Sequence, residues 1–133
     1  MSEKNVELVR ESFERVEAGD SQSWRNVFAS DVIWDTSASQ VPDAGFYHGH
    51  EGMEHFMVAW LGAWQDPVVK HLELIDAGDS VVAVFHWSGR GKTSGVAANA
   101  TFFGVYEVSG DQIVRYRQFD TRAEALQAAG LQE

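Results

Sequence analysis

Residues 98–131, ANATFFGVYEVSGDQIVRYRQFDTRAEALQAAGL, determine the fold expected for this chain. An aromatic-rich run ends at Val108, and Ser109-Gly110-Asp111 has the composition of a tight turn. A second run extends from Gln112 to Phe119, and Asp120-Thr121 opens a short final helix. The two runs are long enough to form the floor of a curved sheet. Such a floor needs a cover of amphipathic helices to complete a core.

The first half of the chain supplies helices for that cover. A first helix is predicted by a stripe at three- and four-residue steps, with Ser2 or Asn5 as its cap and Gly19 as its end: Val6, Val9, Phe13 and Val16. Asp20 and Ser21 offer caps for a second, short helix that carries Trp24, Val27 and Phe28. The most regular stripe predicts a third helix that stops at Asp66-Pro67: Met53, Phe56, Met57, Trp60, Leu61 and Trp64.

Strands are predicted where β-branched and aromatic residues dominate, at 32–36, 68–75, 81–90, 96–108 and 112–119. The last four are separated by turn-forming residues and read as an antiparallel meander. Residues 37–49 are predicted to be a loop with a short strand at 46–48, and a loop of this length in a small domain is more often functional than idle. Helices gathered before a run of strands predict one α+β domain, residues 1–133, with helices on one face of a bent sheet.

Composition limits the classes of function. A net charge of −10 argues against nucleic acid and against anionic membrane surfaces, since both need clustered Lys and Arg. The absence of cysteine removes disulfides, thiol nucleophiles and thiolate metal sites. The N-terminus, MSEKNVELVRES, lacks the apolar core of a signal peptide, and no apolar run is long enough to span a membrane. We therefore expect a soluble, cytoplasmic protein that needs no cofactor.

Three stretches carry a resemblance to a known superfamily: VEAGDSQSWRNVFASDVIWD (16–35), FYHGHEGMEHFMVAW (46–60) and FFGVYEVSGDQIVRYRQFDTRAEALQAAGL (102–131). In them and in their spacing the chain resembles the nuclear transport factor two-like superfamily, especially its SnoaL-like and ketosteroid isomerase-like branches. The resemblance implies a cone-shaped, cystatin-like α+β barrel: a curved antiparallel sheet covered by N-terminal helices, with a deep cavity between them. It also implies a homodimer through the sheet. Relatives include isomerases, polyketide cyclases and non-enzymatic binding domains, so the fold alone does not set a reaction.

The resemblance can be compared at each catalytic position. The base aspartate of ketosteroid isomerases falls on Thr36 here, with Asp35 one residue earlier, and a one-residue shift turns a strand side chain to the opposite face unless a bulge intervenes. Their oxyanion tyrosine falls at Ser12, and their protonated acid falls near Gly104. Steroid isomerisation by that mechanism is therefore not expected. The base aspartate of SnoaL-like cyclases, between the last strand and the last helix, matches Asp120.

Asp120 is the first candidate for a catalytic base. A carboxylate at the mouth of an apolar cavity has a raised pKa that suits proton abstraction next to a carbonyl. The alternative is a helix cap, because Asp120 or Thr121 can cap the last helix and Thr121 to Glu124 has capping-box spacing. Strand alternation places Tyr116 and Gln118 on the same face as Asp120. This semi-polar face suits a partly wet pocket or an outward-facing strand surface.

Three further positions complete the candidate chemistry. His86 could donate or accept a proton if it faces the cavity, or it could be a hydrogen-bonded structural histidine. Asp35 could be a base if a bulge turns it inward, or it could point to solvent or pair with an arginine. His48, with His50 and His55, has poor spacing for zinc, so we predict no metal site; His48 could instead lie at the cavity rim.

Aromatic side chains could line a site for a flat apolar ligand, although each alone is more often plain core: Trp24, Trp34, Phe56, Trp60, Trp64, Phe102 and Phe103. Arg115 and Arg117 share the other face of the last strand and indicate a solvated face or a set of salt bridges. Two hypotheses result. One is a cofactor-independent acid–base enzyme, with Asp120 as base and His86 or Tyr116 steadying negative charge on a small carbonyl or polyketide-like compound. The other is a non-catalytic ligand-binding or scaffold domain of the same fold.

Overall fold

A computed structural model describes residues 2–18, 23–41 and 44–131 of the chain. These residues form, in order, α1 (Ser2–Glu17), a 3-10 helix (Ser23–Asn26), β1 (Phe28–Asp35), β2 (Phe46–His48), α2 (Gly49–Gly62), β3 (Trp64–Asp76), β4 (Ser80–Gly91), β5 (Ala97–Ser109), β6 (Gln112–Phe119) and α3 (Arg122–Ala128). The predicted helix end at Gly19 and the predicted caps Asp20 and Ser21 lie outside the described residues. Within the described ranges, no helix is long and apolar enough to cross a membrane.

The six strands form one curved, unclosed sheet in the order β2-β1-β6-β5-β4-β3. The four strands β3 to β6 make the antiparallel meander that the sequence predicts. The expectation of an entirely antiparallel sheet is corrected at β1, which runs parallel to β6 with Trp34 opposite Tyr116. The parallel pair is possible because the whole of β2 to β5 intervenes, far more chain than a hairpin turn provides.

The fold is α+β as predicted. The expectation of helices on one face is corrected, because helices lie on both faces of the sheet. On the concave face α1 packs against β3 and β4, and α2 packs against β1 and β2. Val9 and Phe13 of the predicted first stripe are buried there. On the convex face α3 packs against Val82 and Val105, and its own Leu126 is buried in that second cluster. The main core and any site within it therefore lie between the first two helices and the concave face.

The first two predicted element starts differ from the observed ones. Asn5 lies inside α1 and does not cap it, because its side-chain amide donates to the Gly78 carbonyl oxygen at 2.9 Å. The predicted second helix is only the 3-10 turn, and Phe28 already belongs to β1. The side chain of Trp24 lies outside the described part of the structure.

The predicted end of the third helix at Asp66-Pro67 is also wrong, since α2 ends at Gly62 and β3 starts at Trp64. Pro67 is tolerated because β3 is an edge strand, where a missing N–H leaves no gap in the ladder. The register shifts between Gln65 and Val68, and Asp66 takes a left-handed φ of 52°. The proline therefore marks an irregularity inside a strand.

Candidate functional site

The concave face and the two covering helices enclose a central pocket of about 620 Å³. Its walls are mainly aromatic: Phe28, Trp34, Phe56, Trp60, Trp87 and Phe102. The mouth lies beside α2, where the lining residues Glu54, Val58 and Gly62 are exposed. Alternation along each strand determines which residues reach the pocket, so Phe85 and Trp87 point inward from β4.

Five of the six predicted ligand-binding residues line this pocket: Trp34, Phe56, Trp60, Phe102 and Gln118. His48 does not, because it is exposed on β2, the edge strand beyond β1. Phe103 packs on the convex face against the second cluster. The expectation that His48 and Phe103 lie at the pocket is thus corrected.

Trp60 forms the centre of the aromatic wall. Its ring lies parallel to Phe56 with centroids 6.5 Å apart, and 5.2 Å from the ring of Trp87. Trp64 closes the group at 6.0 Å from Trp60. Trp60 nevertheless remains half-buried. Part of its surface therefore faces the pocket instead of packed neighbours.

At the opposite end a chain of hydrogen bonds links the pocket wall to the loop after β1. The buried Tyr116 hydroxyl donates to Gln118 Oε1 at 2.6 Å, and Gln118 Nε2 donates to Ser39 Oγ at 3.1 Å. Ser39 Oγ donates to Asp120 Oδ1 at 2.7 Å, and the Gln40 backbone N–H donates to Asp120 Oδ2 at 2.8 Å. We call the side chains of Tyr116, Gln118, Ser39 and Asp120 the polar chain.

Asp120 consequently has a place that neither sequence alternative described. Thr121 is the N-cap of α3, and its Oγ1 accepts from the Glu124 backbone N–H at 3.2 Å. The N-cap half of the predicted capping box is therefore present, while Glu124 Oε1 accepts from the Thr121 hydroxyl at 2.9 Å. The Asp120 carboxylate holds the loop of residues 37–41 and is not among the groups that line the pocket.

The Asp35 carboxylate stabilises the turn that follows β1. Its Oδ1 accepts from the Ser37 backbone N–H at 2.9 Å and from Ser37 Oγ at 2.6 Å, so the carboxylate reverses the chain where β1 ends. The next residue, Thr36, is fully buried, and its backbone N–H donates to the Gly45 carbonyl oxygen at 2.8 Å. The pair Thr36 and Gly45 closes the base of the loop. Asp35 is not among the residues that line the pocket, and in the β1–β6 register it lies opposite Arg117.

His86 lies on the convex face, because its neighbours Phe85 and Trp87 point into the pocket. Its Nδ1 is 3.3 Å from Thr101 Oγ1 on β5. The structure therefore does not bring His86 and Asp120 together across the pocket.

The remaining histidines do not form a metal site. His50 Nε2 is 2.7 Å from the Phe28 carbonyl oxygen, while His48 and His55 are exposed. Across residues 2–18, 23–41 and 44–131, no group of three or more His, Cys, Asp or Glu is placed to hold a metal ion. On the convex face, Arg115 and Arg117 flank Glu107 at 3.4 Å each and form the predicted set of salt bridges.

Two features of the pocket floor were missed by the sequence argument. Gly104 is buried directly beneath Tyr116, and a Cβ built there would lie 2.4 Å from Tyr116 Cε1. The Tyr116 ring is clamped on its other side by Trp34, at a centroid distance of 4.0 Å. The lack of room for a Cβ thus explains the glycine at this position. The resemblance could only record that the position carries no acid.

The second missed feature is Tyr106, which is buried and lines the pocket beside Tyr116, with ring centroids 4.8 Å apart. Burial raises the pKa of the Tyr106 hydroxyl far above its usual value of 10.0. Burial, together with Tyr106, also raises the pKa of Tyr116. Alternation along β5 puts Tyr106 on the same face as Phe102, so a signal for Tyr106 was present in the sequence.

Comparison with solved structures places this architecture among known folds. An NTF2-like protein from Burkholderia thailandensis is 25% identical, with a TM-score of 0.79 over 92% of this chain and 97% of that one. Bal32a, from a soil-derived mobile gene cassette, is 18% identical, with a TM-score of 0.80 over 96% of each chain. TerC, co-crystallised with polyporic acid, is 17% identical, with a TM-score of 0.76 over 96% of this chain and 98% of that one.

These likenesses are in fold, and comparison with curated proteins gave no significant match. Sequence comparison with protein families is more specific. The model of the SnoaL-like domain matches residues 9–116, which hold the second half of α1, the aromatic wall and most of the sheet. The chain belongs to the SnoaL-like domain family.

Proposed function

We propose that this chain binds a small, flat, mainly apolar organic molecule in the central pocket. The observation that carries the proposal is an open space of about 620 Å³ between walls of aromatic side chains. Pockets for small organic ligands have volumes of roughly 300–1,000 Å³ and are mostly apolar with a few placed polar groups. TerC, of the same fold, was co-crystallised with an organic acid. That precedent supports a ligand in a fold of this shape.

The aromatic wall favours a flat ligand over a globular one. Parallel rings such as Phe56 and Trp60, and the half-buried face of Trp60, offer stacking surfaces that gain energy beyond simple burial. At the polar end, Tyr106 and Gln118 offer hydrogen bonds that can orient one end of the ligand.

Acid–base catalysis on a bound carbonyl or polyketide-like compound, of isomerase, cyclase or lyase type, is the finer form of the proposal. Tyr106 is suited to it, because a neutral hydroxyl in an apolar site stabilises negative charge that develops on a ligand oxygen. The position of the available carboxylate favours ligand binding over catalysis as the primary proposal. Among the described lining residues the carboxylate is Glu54, which pairs with Arg25 at the mouth. The homodimer and the cytoplasmic location stay predictions of the sequence.

Two neighbouring valines on β3 provide a matched test. Val69 lines the pocket, whereas Val68 is 54% exposed on the outside of the same strand. Val69→Trp should place a large ring in the pocket and weaken uptake of the flat ketone 9-fluorenone in equilibrium dialysis. The wild type and Val68→Trp should bind the ketone saturably and alike. Equal uptake by all three proteins would refute a pocket site, as would the absence of binding to the wild type.

A further inference from the structure

Tyr106 and Gln118 offer hydrogen-bond donors at the polar end of the pocket, beside the buried indole N–H groups of Trp34 and Trp87, which have no partner among the described residues. The Tyr106 hydroxyl lines the pocket and has no hydrogen-bond partner among the described residues. Gln118 Nε2 carries two hydrogens, of which one goes to Ser39. In the β5–β6 register Gly104 is opposite Gln118 and Tyr106 is opposite Tyr116, so Tyr106 and Gln118 are diagonal neighbours on the concave face. Diagonal neighbours on a sheet are within reach of the same small group when their side chains are long.

Asp120 determines which group donates and which accepts in each hydrogen bond of the polar chain. An ionised carboxylate only accepts, so the Ser39 hydroxyl must direct its single hydrogen toward Asp120 Oδ1. Ser39 Oγ is then an acceptor toward Gln118, and the Gln118 amide must present Nε2 to it. The opposite amide orientation would set Gln118 Oε1 against an oxygen that has no hydrogen left to give. The same orientation leaves Gln118 Oε1 to accept from Tyr116.

Resting on the proposed function, we infer that the polar end selects ligands with a neutral hydrogen-bond acceptor, such as a ketone or quinone oxygen. Tyr106 and Gln118 are the donors that contact this oxygen. Asp120 is a positioning residue, which determines the orientation of the Gln118 amide from outside the pocket through Ser39. A carbonyl oxygen has two lone pairs and can accept both hydrogens.

Charge excludes the anionic alternative. Among the described lining residues there is no Lys or Arg, and a carboxylate transferred into an apolar site without a cation is strongly disfavoured. Burial keeps the Tyr106 pKa far above its usual value, so the hydroxyl stays a donor across the working range of pH. An apolar ligand without an acceptor would leave both donors unpaired, and it is disfavoured for that reason.

The test compares 9-fluorenone with fluorene, which has the same three rings and a CH₂ group in place of the carbonyl, by equilibrium dialysis. The wild type should prefer fluorenone by about tenfold. Tyr106→Phe and Gln118→Leu should each weaken fluorenone binding roughly two- to tenfold and leave fluorene binding unchanged. Tyr47→Phe on β2 is the control, since Tyr47 is not among the residues that line the pocket.

A pair of serines tests the positioning role of Asp120. Ser39→Ala removes the link between Asp120 and Gln118 and keeps the bond from the Gln40 N–H to Asp120, so the amide is free to turn and the preference for fluorenone should fall. Ser37→Ala, in the same loop but bonded to Asp35, should keep the preference. Asp120→Asn is a second variant that changes the link to Gln118. The Asn amide can donate to Ser39 and so reverse the donor-to-acceptor direction of the polar chain, which should also lower the preference for fluorenone.

Each result decides between the claims. Equal binding of fluorenone and fluorene to the wild type overturns the inference and leaves the proposed function standing. A preference for fluorenone that survives in Tyr106→Phe and Gln118→Leu also overturns the inference and leaves the proposed function standing. A preference that survives in Ser39→Ala and Asp120→Asn overturns the role of Asp120. No binding of either compound overturns the proposed function, and the inference with it.

Discussion

Replacing Gly104 with alanine should destabilise the protein through a single added methyl group. The new Cβ would lie 2.4 Å from Tyr116 Cε1 and 3.2 Å from both Cζ and the hydroxyl oxygen of Tyr116. The Tyr116 ring cannot retreat, because Trp34 stacks on it at 4.0 Å and Tyr106 lies 4.8 Å away. At an unconstrained position the same substitution is neutral or stabilising, since alanine has less backbone freedom to lose on folding.

The magnitude follows from two contributions. Overpacking a core by a methyl group costs about 1–3 kcal/mol. A shift of the Tyr116 ring also breaks its 2.6 Å hydrogen bond to Gln118, which adds about 1 kcal/mol. The sum, about 2–4 kcal/mol, corresponds to a melting temperature lowered by roughly 7–14 °C for a chain of this length.

Urea denaturation followed by circular dichroism measures the effect. Gly62→Ala is the control, because a Cβ at Gly62 meets nothing within 4 Å. Tyr116→Leu, alone and combined with Gly104→Ala, measures the coupling. The alanine should cost much less once the tyrosine ring is absent, because the clash is then relieved. Additive effects in the double variant, or a Gly104→Ala protein as stable as the control, would refute the steric explanation.

Three other predictions concern the helix cap, the pocket wall and the buried hydroxyls. Thr121→Ala should lower the free energy of unfolding by about 1 kcal/mol in urea titrations, because it removes the cap of α3, and an unchanged midpoint would contradict the cap. Trp34→Ala should cost about 3–5 kcal/mol, as expected for a buried side chain, whereas Trp60→Ala should cost less because Trp60 is only half-buried; equal losses would mean that both sites are packed alike. Since burial raises the pKa of Tyr106 and Tyr116 above 10.0, the folded state keeps both protonated where the unfolded chain ionises, so their contribution to the free energy of unfolding is constant below that pH and is lost as the pH rises above it. Tyrosinate absorbance at alkaline pH should therefore rise together with unfolding for these two residues, and their gradual titration in the folded protein would contradict the prediction.

Most of the fold could be predicted from the sequence because its signals are local. The α2 stripe of Met53, Phe56 and Trp60, and the turn at Gly110, depend only on residues a few positions apart. The parallel pairing of β1 with β6 could not be predicted, since Trp34 and Tyr116 are far apart in the sequence and alternation does not choose between neighbours. The end of α2 was misplaced because Pro67 breaks helices by rule, and only the edge position of β3 makes it acceptable in a strand.

In the candidate site, too, local patterns could be predicted from the sequence and long-range contacts could not. Alternation grouped Gln118 with Tyr116 on one face, and the structure places Gln118 in the pocket wall. Phe102 and Phe103 were both candidates for the wall; Phe102 lines it, whereas Phe103 packs in the second cluster. Asp120 was expected to be a base or a cap because both roles are visible in the adjacent residues. Its actual partners, Ser39 and Gln40, belong to a loop about 80 positions earlier. His86 was left open at the sequence level, and its convex position follows once the structure shows that Phe85 and Trp87 point into the pocket.

The strand order has a consequence for how the protein forms. Strands β3 to β6 pair with their sequence neighbours, and such local contacts form early. Strand β1 must wait for β6, so during synthesis the first half of the chain has left the ribosome before its place in the sheet exists. Until then Trp34 lacks Tyr116, the ring of β6 on which it stacks. The interval before β6 emerges is therefore when this chain is most prone to aggregate and most in need of chaperones.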